Sequence, residues 1–245
     1  MKSLENKIFF GITATDVMRR RDHWKRQIEE VKKLKIKSVA IFPTSLDLSG
    51  RQEMYQMLEW AGILSIPLVH VREEDFSLQE LDYLKKRFNV KWFNGHEYGS
   101  KNFFQQFPRY RSQFLIELNY DNDIQIDIPI DKIGGFCIDL SHLKSAIARG
   151  AIEHKYVLQK IGRNLIKANH LNGYSVKLKR DMHFINKLSE LDYLQDLPTG
   201  VFSNVIGLEM ENTILEQIKF KKYIIKLLNN ASNQIATLSL GSSSQ

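Results

Sequence analysis

The sequence is poor in the features that mark secreted and membrane proteins. Cys137 is its one cysteine in 245 residues, which excludes a disulfide framework and indicates a reducing compartment. No window approaches about 18 consecutive apolar residues, so we expect no membrane span. The N-terminus also lacks an apolar stretch long enough for a signal peptide. We therefore expect a cytoplasmic protein without a membrane partner.

Glycine is missing from the turn after the first apolar run, which reads TATDVMRRR. An open, doubly wound sheet that binds a nucleotide would need a glycine-rich turn at this place. Internal repeats are absent as well, which argues against a repeat architecture. The missing glycines favour a closed barrel over the open sheet, which is the main alternative fold.

Short apolar runs rich in Ile, Val and Phe alternate with amphipathic stretches of helical period. The runs are residues 7–13, 36–43, 65–71, 90–96, 113–119, 134–140, 167–173 and 204–211. The helical stretches are residues 22–35, 51–62, 77–87, 143–162 and 213–229. Ser77 is a candidate N-cap, with Glu80 at the capping-box position.

Eight such alternations over about 230 residues predict a single α/β domain, a (β/α)8 TIM barrel. We expect the barrel to span residues 1–232 and a loose tail to follow at 233–245, where the helical period is lost. The segment after residue 119 reads as extended or loop-like. One helix after the fifth strand is therefore expected to be degenerate.

The formal net charge of +7 includes a basic run at residues 31–37, VKKLKIK. A basic balance attracts phosphate groups, nucleic acid or anionic membranes. A solvated helix face gives the same pattern, so the run alone assigns no partner.

Ionisable and amide side chains end the last six apolar runs or follow them closely. They are His70, His96, Glu117, Asn119, Asp139, His142, His170, Asn172, Asp181, His183 and Glu209. In parallel barrels the chemistry lies at the carboxyl ends of the strands. Burying so many titratable groups without partners is costly, whereas a divalent cation uses imidazoles and carboxylates as ligands. The pattern predicts a zinc or manganese site of one to three ions, although Asp181 and His183 could also be solvated loop charges.

Four short motifs carry a family resemblance: FCIDLSH, NHLNGY, RDMH and IGLEMEN. With them the chain resembles the xylose-isomerase-like barrel superfamily. That group contains sugar-phosphate isomerases and epimerases as well as metal-dependent apurinic-site endonucleases. Within FCIDLSH, we expect Cys137 to point elsewhere on the strand than Asp139 and to serve packing only.

The two branches imply different metal sets. The endonuclease pattern implies a cluster of two or three ions, bridged by Glu117. Its ligands would be His70, His96, Glu117, Asp139, His142, His170, Asp181, His183 and Glu209. The isomerase pattern implies one ion, with His142 near the substrate. Its ligands would be Glu117, Asp139, His170 and Glu209.

Two reactions follow, with Glu117, Glu209 and His142 as the catalytic candidates in both. The first is hydrolysis of a phosphoester, and the alternative is isomerisation or epimerisation of a sugar or sugar phosphate with Glu117 and Glu209 as acid and base. We expect a small phosphorylated or sugar substrate. Nucleic acid stays an alternative substrate, which the acidic segment VREEDF after His70 disfavours. The expected substrate contacts are Asn119, Asn172, Lys177, Lys179 and Arg180. A third interpretation is a barrel that binds a ligand without catalysis.

Overall fold

The computed structural model of the chain describes residues 3–15, 22–72, 74–117, 132–161 and 164–241. The strands are β1 (Ile8–Phe9), β2 (Gly11–Thr13), β3 (Ala40–Phe42), β4 (Leu68–His70), β5 (Trp92–His96), β6 (Phe114–Glu117), β7 (Gly135–Asp139), β8 (Ile166–Leu171), β9 (Gly173–Ser175), β10 (Arg180–Met182) and β11 (Ile206–Leu208). All eight apolar runs contain a strand, which confirms that part of the prediction. Strands β9 and β10 form a separate antiparallel hairpin.

The remaining strands are parallel, and the ring closes through the first of them. β1 pairs with β11 and β2 pairs with β3, so these two short strands are halves of one barrel strand interrupted at Phe10. Gly11 is required at this crossing, because a Cβ there would lie 1.7 Å from the Leu208 carbonyl oxygen. The eight resulting barrel strands confirm the predicted TIM barrel.

Side chains alternate along each strand between the barrel interior and the helix-covered outside. The interior is packed by Ala40, Phe42, Leu68, Leu115, Cys137, Ala168 and Val205. Cys137 lies two residues before Asp139 and therefore points to the same side of β7. The expectation that the two side chains diverge was wrong, because a strand repeats every two residues. Cys137 is buried in the barrel interior, and its thiol interacts with the His170 ring.

The helices cover the outside of the ring. They are α1 (His23–Lys33), α2 (Leu48–Trp60), α3 (Leu78–Phe88), α4 (Ser100–Gln106), α5 (Leu140–Arg149), α6 (Glu153–Ile161) and α7 (Ile214–Gly241). The stretch 143–162, predicted as one helix, is two, because Gly150 adopts a left-handed φ of 67° and ends α5. A hairpin and the 3-10 helix Leu188–Asp196 replace an α-helix between β8 and β11.

The expected cap of α3 is half right. The Ser77 hydroxyl oxygen accepts a hydrogen bond from the Glu80 N–H at 3.1 Å. The Glu80 carboxylate does not complete a capping box, since it accepts hydrogen bonds from Arg51 (2.7 and 3.1 Å) and Tyr55 (2.7 Å) instead. Arg51 is fully buried, so a paired carboxylate is worth more at this position than a helix cap.

Two predictions on the chain's organisation stay predictions. The degenerate helix was predicted after the fifth barrel strand, which is β6, and this place lies in residues 118–131, outside the described residues. The boundary between barrel and tail at 233 is crossed by α7, which ends at Gly241. Among the described helices, none combines the length and hydropathy that crossing a membrane requires.

Candidate metal centre

Six of the predicted residues meet at the carboxyl ends of the barrel strands. They are His70, His96, Glu117, Asp139, His170 and Glu209. The sheet register sets four of them side by side in two pairs, His96 with Glu117 and Asp139 with His170. All except His96 are buried. The side chains inside the barrel thus change from apolar to ionisable at the carboxyl ends of the strands, and these six residues form the ionisable layer.

His170 lies at the middle of this layer and is fully buried. Its Nδ1 is 3.3 Å from Glu117 Oε1 and 3.2 Å from Glu209 Oε2. Phe42 packs edge-on against the ring, with 5.0 Å between the centroids. Neither ring nitrogen has a hydrogen-bond partner of acceptable geometry within the described part of the chain. The ring is therefore close to two carboxylates without being bonded to either.

His70 and His96 approach Glu117 from the other side. His70 Nδ1 lies 3.6 Å from Glu117 Oε2, and His96 Nε2 lies 3.9 Å from Glu117 Oε1. The two rings are perpendicular, with centroids 5.1 Å apart. Glu117 is consequently flanked by imidazoles on both of its oxygens.

Asp139 has two tasks at the end of β7. Its Oδ1 caps α5 by accepting hydrogen bonds from the N–H groups of Ser141 and His142, both at 2.9 Å, and from the Ser141 hydroxyl at 2.8 Å. Among the described residues, its Oδ2 accepts one hydrogen bond, from Asn172 Nδ2 at 3.0 Å. The capped oxygen is saturated, so Oδ2 is the oxygen with capacity for another partner.

The other three predicted ligands form a group at the rim. Asp181 on the hairpin strand β10 stands between two imidazoles, 3.5 Å from His142 Nε2 and 3.3 Å from His183 Nε2. It offers a different oxygen to each ring. Burial opposes charge on both rings, but neighbouring carboxylates outweigh it and raise the pKa of His142 to about 10 and that of His183 to about 9. Hydrogen bonding to the same rings holds the pKa of Asp181 well below its ordinary value.

Burial and charge divide the inner histidines. Burial lowers the pKa of His70 to about 4, although Glu117 lies nearby, so this ring is neutral at physiological pH. Burial also opposes charge on His170, but Cys137 together with the carboxylates of Glu117 and Glu209 holds its pKa well above the ordinary value. Burial alone would raise the pKa values of Glu117 and Glu209, but the imidazoles beside them lower both pKa values below the ordinary value. The centre is built for charged carboxylates.

The donor set fits a divalent cation. Three groups each offer three ligand atoms that lie within 4.8 Å of one another, and they share members. They are His70 with His96 and Glu117, His70 with His170 and Glu209, and Glu117 with Asp139 and His170. Within the described residues, His70 Nδ1 and both nitrogens of His170 are buried without a hydrogen-bond partner. Buried polar atoms left this way are costly, and a metal ion bound to the unprotonated nitrogen of each ring would relieve part of that cost.

One buried member of the centre went unpredicted. Asn94 on β5 is completely buried and donates from Nδ2 to Glu117 Oε2 at 2.7 Å. It stands two residues before His96, hence on the same side of the strand. That alternation was a usable signal, but an amide inside an apolar run carries no charge to draw attention.

The predicted substrate contacts are placed less centrally. Lys177, Lys179 and Arg180 are exposed on the β9–β10 hairpin, and the Ser145 hydroxyl fixes this turn by donating to the Lys179 carbonyl at 2.6 Å. Asn172 is buried against Asp139. Asn119 falls outside the described residues. The roles of these residues in substrate binding remain predictions.

Comparison with known proteins found no matching family model and no matching curated protein. Solved structures do match over most of the chain. A xylose isomerase-like TIM barrel protein from Mycobacterium smegmatis, in complex with magnesium, is 12% identical with a TM-score of 0.48, and the match covers 94% of this chain and 99% of that one. The fold resembles this barrel. A sugar phosphate isomerase/epimerase from Parabacteroides distasonis is 10% identical with a TM-score of 0.42, over 91% and 93% of the two chains.

With TM-scores below 0.5 and identities of 10–12%, neither match assigns a family or a reaction to this chain. Identities this low concern the fold alone. The reaction is therefore inferred below from the site itself.

Proposed function

We propose that the chain is a divalent-metal-dependent enzyme and that it hydrolyses a small phosphoester at the mouth of the barrel. The observation that supports this reaction is the surplus of donors. A single zinc ion takes about four ligands. Here three overlapping donor groups share the strand ends, and their six members exceed the ligand number of one ion.

Glu117 is the residue that links the groups. It belongs to the group with His70 and His96 and also to the group with Asp139 and His170. A carboxylate with imidazoles near both oxygens suits two neighbouring ions. Cations bound there would lower the pKa of water and stabilise negative charge on phosphoryl oxygens.

The rim group would act on the substrate. With a pKa of about 10, His142 carries a proton at neutral pH in the metal-free protein and can donate it to an oxyanion. Lys177, Lys179 and Arg180 add positive charge on the hairpin that holds Asp181. An anionic phosphorylated substrate fits these charges better than a neutral sugar does.

Metal content and hydrolysis together test the proposal. We expect two or more zinc or manganese ions per chain by elemental analysis, and metal-dependent hydrolysis of bis(p-nitrophenyl) phosphate or p-nitrophenyl phosphate. His142→Ala should lose metal or activity. His154→Ala is the matched control, because His154 lies on α6, and its Nδ1 is hydrogen-bonded to the Ala151 carbonyl at 2.5 Å. Full activity and unchanged metal content in His142→Ala would sink the assignment of the site.

Isomerisation or epimerisation of a sugar phosphate is the second candidate. The observation that favours it is the pair Glu117 and Glu209, whose carboxylates both approach His170 Nδ1. Two carboxylates at one point can remove a proton next to a carbonyl and return it. One ion held by Glu117, Asp139 and His170 would suffice for this reaction.

Isotope exchange separates the two reactions. Incubation with pentose and hexose phosphates in D2O, followed by NMR, should give no deuterium at carbon if the chain is a hydrolase. Exchange at carbon together with a single ion per chain would favour the isomerase. Absence of bound metal, with no stabilisation by added metal, would instead support a barrel that binds without catalysis.

A further inference from the structure

We propose that Asn94 is a positioning residue that holds the Glu117 carboxylate in the orientation needed to bind metal. The inference rests on the metal centre of the proposed function. Asn94 pairs with His70 in the register of β4 and β5, so it lies beside His70 at the level of the ionisable layer. It is completely buried, and its Nδ2 is 2.7 Å from Glu117 Oε2.

The orientation of the amide follows from its partner. An ionised carboxylate only accepts hydrogen bonds, so the NH2 side of Asn94 must face Glu117. The carbonyl oxygen Oδ1 is then left without a hydrogen-bond partner among the described residues. A buried, unpaired carbonyl costs about 1–3 kcal/mol. Asn94 is thus poorly explained as a packing residue, whereas its one hydrogen bond serves Glu117.

That hydrogen bond fixes which carboxylate oxygen of Glu117 faces each of the neighbouring histidines. Oε2 receives the amide and faces His70 at 3.6 Å, while Oε1 faces His170 at 3.3 Å and His96 at 3.9 Å. Without the amide, the carboxylate is free to rotate away from this division. Side chains that orient a metal ligand typically change metal affinity by 10–100-fold when they are removed.

Asp139 provides an internal comparison. It also accepts from an amide, Asn172, but three further hydrogen bonds from Ser141 and His142 hold it in place. Within the described residues, the Glu117 carboxylate accepts one hydrogen bond of good geometry, the one from Asn94. Loss of the amide should therefore matter more at Glu117 than at Asp139.

The test is a titration of the metal-free protein with Zn²⁺ against a chromophoric chelator. Asn94→Ala and Asn94→Leu should each bind about 10–100-fold more weakly than wild type, and Asn172→Ala should lose less than about tenfold. Asn169→Ala is the matched control. Asn169 is another fully buried amide on a barrel strand, but it bonds the Ile138 and Val201 carbonyls and the Ser203 N–H. This variant should lose stability and keep its metal affinity.

The absorption spectrum of the Co²⁺-loaded protein gives a second readout that fold stability does not move. The visible bands should change in intensity in both Asn94 variants, since ligand geometry changes, and stay as in wild type for Asn169→Ala. If one Asn94 variant does not fold, the other carries the comparison. A folded Asn94 variant with wild-type Zn²⁺ affinity and an unchanged spectrum would overturn the role of Asn94 but not the metal centre. No Zn²⁺ binding by wild type would overturn the metal centre with it.

Discussion

Removing the charge of Asp181 should make the two flanking histidines less basic. Asp181 lies 3.5 Å from His142 Nε2 and 3.3 Å from His183 Nε2. At these distances an effective dielectric constant of about 20 gives roughly 5 kcal/mol per contact. The three side chains are 23–33% exposed, and water screens them. We therefore take about 1–2 kcal/mol per contact, which is roughly one pKa unit for each histidine in Asp181→Asn.

The stability of the metal-free protein should change with it. A histidine pKa raised in the folded state stabilises fully below its unfolded value and loses this effect as the pH rises through the folded value. For His183 and His142 that loss falls at about pH 9 and pH 10. The lowered pKa of Asp181 acts oppositely: its contribution is present above the unfolded value and lost as the pH falls through the folded one. At pH values above the unfolded-state pKa of Asp181 and below the folded-state pKa of His183, about 9, the Asp181→Asn variant should be less stable than wild type by about 2–4 kcal/mol.

The assay is an NMR titration of the imidazole nitrogens after removal of metal by a chelator, with urea unfolding at several pH values. Asp196→Asn is the control, because Asp196 pairs with Lys144 at 2.7 Å and is largely exposed. It should leave both histidines unchanged. Histidine pKa values in Asp181→Asn that equal those measured in wild type would refute the electrostatic reasoning.

Three further predictions concern the whole barrel. Zinc at 100 times its Kd should stabilise wild type by about 2.7 kcal/mol in thermal unfolding, and an unchanged Tm would contradict a metal centre. Arg51→Met leaves the Glu80 carboxylate buried without its cation, so urea unfolding should show a loss of about 3–5 kcal/mol with unchanged metal affinity. A loss below about 1 kcal/mol would show that the pair does not support the fold. Gly11→Ala places a Cβ 1.7 Å from the Leu208 oxygen and should lower the free energy of unfolding by more than about 4 kcal/mol. Gly150→Ala is the control: its Cβ has open space, so only the positive φ should cost stability, about 1 kcal/mol. Equal losses in the two variants would contradict this account of barrel closure.

The strands were predictable because parallel strands are buried on both faces. Each then reads as a short apolar run, and all eight runs hold a barrel strand. The closure through a divided first strand was not predictable, since it depends on the contact of Gly11 with Leu208, about 200 residues away. The hairpin β9–β10 was missed because its exposed turn carries no helical or strand period of its own.

For the candidate site, charge at a strand end was the informative signal. It located the six residues that meet at the barrel mouth, His170 and Glu117 foremost. Asn94 carries no charge and was missed, although it stands two residues before His96. The direction of the Cys137 side chain was predicted wrongly for the same reason, since residues two apart on a strand point to the same side. Which groups share one ion is a matter of distances between strands, and no sequence pattern records those.

The central claim is that the strand ends hold divalent metal. Anomalous diffraction at the zinc edge, from crystals grown with Zn²⁺, tests it most directly. The account predicts at least one strong peak about 2.0–2.2 Å from a nitrogen of His170 or His70 and from an oxygen of Glu117. Well-ordered crystals with zinc present and no peak at the barrel mouth would contradict it.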